Sequence, residues 1–204
     1  MNTPKPLQDA RHMTLGVDGA WDVYRKLLWD VETFKQVAAR KVRIGEGAAE
    51  EIRFPMYAAI NAAATAWSLV EWLWFEVEFD AEARSRLLLW ANVNDGNEVL
   101  KRLKASLRKK VAEIDACNQI AHATKHAQLR DITPGFSTQM YFDVWQSAEG
   151  FYWSPVGYVS SGEGDEGLPL ESLFERVVSW WNETLTSYGV PDRLHLIPGD
   201  GRAR

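Results

Sequence analysis

Apolar residues recur near the start of the chain at the spacing of one helix face. In "DGAWDVYRKLLWDVETFKQVAAR", beginning at Asp18, they fall at 21, 24, 27, 28, 31, 34 and 38, which predicts an amphipathic first helix. Gly45, Gly47 and Pro55 then interrupt the pattern. A second apolar run from about Met56 to Val77 predicts a helix buried in the core, and Asp80 is placed to cap a third through Trp90 and Val93. "NVNDG" supplies turn chemistry after it. From Asn97 the chain runs without proline or glycine until Pro134 and Gly135, which predicts the longest helix of all. Leu103, Leu107, Ile114, Cys117 and Ala121 share one side of it, the side expected to face the core.

The pattern then changes. "STQMYFDVWQS" and "GFYWSPVGYVSS" are rich in aromatic and β-branched residues around the turn "AEG", which predicts a β-hairpin at about 138–160. "LPLESLFERVVSWWNETLTSYG" returns to helical spacing, with Pro169 near its start and Gly189 as its stop. The expected fold is mainly α, a bundle of about five helices with a β-hairpin before the C-terminal helix. No linker or repeat divides the chain, so residues 1–204 are read as one helical domain.

Composition narrows the class. With 46% hydrophobic and 25% charged residues, the chain is too apolar for a disordered one. A net charge of -5 argues against broad coating of nucleic acid and leaves room for a local basic site. Such a site would lie at Arg108, Lys109 and Lys110, in the most basic stretch of the sequence; the plainer alternative is a solvated helix face. The single cysteine, Cys117, supplies neither an intramolecular disulfide nor a thiolate cluster, and fits a reducing cytoplasm. "MNTPKPLQDARHM" lacks the basic-then-apolar order of a secretory signal, and no apolar run is long enough to span a bilayer, so no membrane association is expected. The ten tryptophans are expected mostly in the core, with a minority at an interface.

Candidate chemistry concentrates in "NQIAHATKH", from Asn118 to His126. On the long helix Asp115, Asn118, His122 and His126 form a polar stripe about 80° wide at the border of the apolar side. Such a stripe can hydrogen-bond a neighbouring element and fix its register. It can also hold a metal between His122 and His126 at i and i+4, given a third ligand. The third reading is general acid/base work on a phosphodiester, with Lys125 nearby to offset charge. No glycine-rich phosphate loop or serine nucleophile elbow accompanies the stripe.

Late in a long helix of a helical bundle, Cys117-Asn118-Gln119-Ile120-Ala121-His122 resembles the short motif of the HEPN ribonuclease superfamily. That motif is an arginine, a polar residue that is often asparagine, three further residues and a histidine. Asn118 and His122 match, and Cys117 stands where the family has arginine. The resemblance implies RNA as substrate and a metal-independent endoribonuclease with no cofactor, working as a homodimer that pairs its motif helices. His122 would move the proton, Asn118 orient it, and Lys125 or His126 offset phosphate charge. Arg108, Lys109, Lys110 and Arg130 would guide the RNA backbone. A thiol cannot replace a guanidinium. Either another cation, such as Lys125 or Arg130, takes over its part, or the chain resembles a degenerate member: a non-catalytic interaction module, partner of a toxin, defence complex or other assembly.

Overall fold

A computed structural model describes residues 17–43, 53–123, 136–148, 150–160 and 167–193. Among them are six helices: α1 (Ala20–Ala38), α2 (Arg53–Val77), α3 (Ala81–Ala91), α4 (Val99–Lys110), α5 (Ala112–Ala123) and α6 (Leu170–Ser187). Four strands accompany them: β1 (Val42–Arg43), β2 (Ser137–Ser147), β3 (Gly150–Ser160) and β4 (Leu168–Pro169). The fold is mainly α, with a small antiparallel sheet before the last helix.

The apolar pattern explains most of these boundaries. Val23, Leu27, Val31 and Phe34 bury one stripe of α1 against α2, which runs antiparallel to it. Asp80 takes an extended conformation and accepts from the Glu82 and Ala83 amides, capping α3 as expected. Asn92 closes that helix in the left-handed region. Pro55 falls in the first turn of α2, where its missing N–H breaks no helical bond, so the helix starts before it rather than after.

The predicted fourth helix is two helices. Val111 has an extended backbone at φ -127 and ψ 96, and it separates α4 from α5. The charge order favours a break here: Arg108, Lys109 and Lys110 occupy the last turn of α4, while Glu113 and Asp115 occupy the first turn of α5. Each set complements the dipole of its own helix end. Arg108 Nε donates to Asp115 Oδ1 at 2.6 Å across the elbow and ties the two ends together.

The hairpin is longer than predicted by a residue. β2 and β3 pair antiparallel from Ser137 opposite Ser160 to Ser147 opposite Gly150. β1 and β4, two residues each, pair with β3 at Trp153–Tyr152 and at Tyr158–Val159. Among the described side chains of β3, Pro155, Gly157 and Val159 are buried, a period of two that turns one face toward the helices. α6 covers that face and also packs on α1, α2 and α5, so Leu173, Phe174, Val177, Trp181 and Leu185 join the core.

The tryptophans are less buried than expected. Trp74 and Trp181 are buried, Trp21, Trp67, Trp72 and Trp180 are half-buried, and Trp29 and Trp90 are exposed. An indole is too large to be enclosed at every bundle edge. Lys104 lies over half-buried Trp67 and Lys110 over exposed Trp90, and Arg84 lies over the buried ring of Trp74. No helix among the described residues is long and apolar enough to cross a membrane.

Candidate functional site

The motif helix is enclosed. Six consecutive residues of α5, Ala116 to Ala121, are all buried. Six residues at 100° each go round the whole helix, so this stretch has no solvent side. α2, α4 and α6 pack against it. Cys117 is fully buried and Asn118 and Gln119 nearly so. Asn118 was expected at the border between core and solvent; the structure puts it inside. A central helix has no border at that level.

Burial pushes the Cys117 thiol pKa up, with the nearby Glu113 charge adding to the effect. The thiol is therefore neutral and shielded, a small apolar group rather than a nucleophile. His122 is half-buried one turn beyond Asn118, near the C-terminal end of α5. Asp115, one turn before Asn118, faces Arg108 and is tied to it. Lys125, His126 and Arg130 lie outside the described residues.

The basic run does not form one surface. Arg108 is engaged with Asp115. Lys110 turns the other way, donates to the Trp90 carbonyl at 2.7 Å and lies over that ring. Lys104 is paired with Glu71. Lys109 is exposed, and with Arg108 it lines an open groove of about 860 Å³ between the α4–α5 elbow, α6 and the β3–β4 edge. Ala112, Ala116, Phe136, Leu168 and Leu173 make its apolar walls, and Arg176, Glu113 and Asp115 add charge of both signs. Such a groove suits an apolar body with a polar end. Of the predicted RNA-guiding cations, Arg108 and Lys109 are brought together there; among the described lining residues neither Asn118 nor His122 appears.

Among the described residues no group of three or more histidine, cysteine or acidic side chains is arranged to hold a metal ion. Comparison with family models, with curated proteins and with solved structures finds no match.

One cluster escaped the sequence reading. Glu76, near the end of α2, accepts from the Ala20 amide at 3.3 Å and from Arg193 Nη2 at 2.6 Å. Arg193 Nη1 also donates to the Asp18 carbonyl at 2.8 Å, and Arg25 grips both oxygens of Asp192 at 2.6 Å. Trp21 Nε1 donates to the Val190 carbonyl at 2.8 Å. These bonds clasp the segment after α6 onto the start of α1. Gly19 makes room: a Cβ there would stand 2.6 Å from Glu76 Oε1. A glutamate within an apolar run beside a patternless tail gave no periodic signal to find it by.

Proposed function

We propose that this chain is a HEPN-like interaction module that does not cleave RNA. The observation that carries the reading is the unbroken burial of Ala116 to Ala121. A metal-independent nuclease needs its motif polar groups beside a groove that admits the phosphodiester, with a cation on hand. Here Asn118 is inside the fold, and the family's arginine position holds a neutral thiol packed among helices. Two of the three cations of the basic run, Arg108 and Lys110, are spent on contacts within the chain. What the fold offers instead is exposed aromatic surface, including Tyr141 and Phe151 on the hairpin. The expected partner is protein. A cytoplasmic location belongs to the same proposal, since a lone cysteine suits a reducing compartment.

The test is RNA cleavage in EDTA. Purified protein and its His122→Ala variant are expected to leave single-stranded and structured RNA intact at equal background rates. Cleavage by the natural protein that disappears in His122→Ala, with the circular dichroism spectrum unchanged, would overturn the reading in favour of an endoribonuclease.

A further inference from the structure

The helix α2 carries few polar residues, yet one face of it is uncovered. Its buried residues occupy an arc facing α1, α5 and α6. On the opposite side Phe54 is 50% exposed, Tyr57 58% and Phe75 46%, and Phe79 just past the helix end is 66% exposed. Between the two aromatic pairs lie Asn61, Ala64 and Ser68 at steps of three or four residues, and the seven-residue step from Ser68 to Phe75 has Glu71 and Trp72 on either flank of the stripe. A helix with so few polar residues normally lies inside a larger core. Something is expected to cover this one.

We propose that the cover is a second copy of this chain, packed antiparallel through the same α2 face about a two-fold axis that crosses the stripe between Ala64 and Ser68, at the level of buried Ala66. The stripe is self-complementary under that operation. Phe54 comes opposite Phe79, Tyr57 opposite Phe75, and Ala64 opposite Ser68, while each partner order holds in reverse, as an isologous interface requires. Small residues at the crossing let the backbones approach, and aromatic residues fill the widening gaps at both ends. Charge agrees with the arrangement. Exposed Arg53 at the start of one α2 falls beside Glu78 and Asp80 at the end of the other, and the antiparallel helix dipoles attract. Glu71, the acid on the stripe's flank, is already paired with Lys104 of its own chain, so two acidic copies meet without repulsion there.

The area is adequate. The four aromatic side chains alone expose roughly 450 Å² at typical ring sizes. With the small residues, Trp72 and Trp29 on the neighbouring helix α1, the patch approaches the ~800 Å² per partner of a stable interface. It also exceeds what a monomer commonly leaves bare. This interface is not the pairing of motif helices that the HEPN resemblance implies: α5 packs on the buried side of α2, away from the axis. It stands whether or not the chain cuts RNA.

Light scattering after gel filtration tests the proposal on the full chain. The natural protein is expected at twice its 23.2 kDa chain mass. Phe75→Asp and Ala64→Arg, both at positions outside the buried arc, are expected to run as monomers with unchanged helical content. Mixing Ala64→Cys protein with Ser68→Cys protein should give disulfide-linked dimers several-fold faster than either alone, with buried Cys117 silent. A monomeric natural protein would overturn the idea, including the case where hydrogen exchange shows the stripe covered by another segment of the same chain. So would a dimer that survives both substitutions, which would place the contact elsewhere, such as the open edge of β2.

Discussion

At position 117 the side chain has no room to be anything but small and neutral. Its sulfur is enclosed by helices, and an arginine there would bring a guanidinium into the core, where the nearby Glu113 carboxylate is already paired with Arg176. Cys117→Arg is therefore expected to cost more than about 4 kcal/mol and to unfold or aggregate the chain rather than create a nuclease. Cys117→Ala, which removes one sulfur, should cost only about 1 kcal/mol. Urea unfolding of the two variants checks both; a soluble, well-folded Cys117→Arg protein would mean that α5 can turn this side outward. Trp181 gives a second residue-scale case. It is fully buried and its Nε1 has no acceptor among the described residues. Trp181→Phe loses ring area but also removes an N–H whose desolvation costs about 1–3 kcal/mol. The net loss should be smaller than the 2–5 kcal/mol expected for Leu185→Ala in the same core, and comparing the two midpoints checks it.

At the scale of elements, the α4–α5 elbow decides what the basic run can do. An unbroken helix would keep Arg108, Lys109 and Lys110 on the same rod as His122. The bend at Val111 gives Arg108 to Asp115 and sends Lys110 to Trp90. Arg108 and Asp115 are about a quarter and a seventh exposed, so their pair should couple by about 1 kcal/mol after solvent screening. A double-mutant cycle with Arg108→Ala and Asp115→Ala measures that coupling, and strict additivity of the two losses would show the elbow is held by packing alone. The elbow also marks where the sequence misleads. Absence of proline and glycine predicts continuity, yet three cations followed within five residues by Glu113 and Asp115 is the signature of one helix ending and another starting. The hairpin and α1, α3 and α6 were legible because period and caps agreed. β1 and β4 were not, since two residues carry no period and they pair only because β3 is already in place. For the site, Asp115, Asn118 and His122 lie on one helix, as the sequence pattern predicts. That pattern could not give the depth of α5, which depends on how many neighbours surround a helix rather than on its own pattern.

For the whole molecule, the clasp around Glu76 links both ends of the described chain, and its carboxyl is the group whose titration should be felt globally. Burial raises the Glu76 pKa above 4.5, more than Arg193 and the Ala20 amide lower it. The native state then holds this proton more tightly than the unfolded chain does. Between the ordinary value and the raised one, the native state binds more protons, so this group's contribution is greatest below pH 4.5 and declines as pH rises through the folded pKa. Asp95, by contrast, is held below its ordinary 3.8 mainly by the Arg84 hydrogen bond, and its contribution is lost only as pH falls. The two can be separated, because Glu76→Gln removes the titration; its loss of one of the two acceptor oxygens that meet Ala20 and Arg193 is a constant offset that leaves the pH dependence readable. The melting temperature of Glu76→Gln minus that of the natural protein should rise with pH from about 4.5 upward and then level off. A difference that instead grows as pH falls below 4.5 would mean that Arg193 wins over burial, and that the clasp is held as an ion pair in the ordinary sense. Hydrogen exchange at the Ala20 amide and the Trp21 indole N–H across the same range reads the clasp directly, since both donors lie on it. Loosening at the two sites in step would show that the segment after α6 and the start of α1 open as one unit.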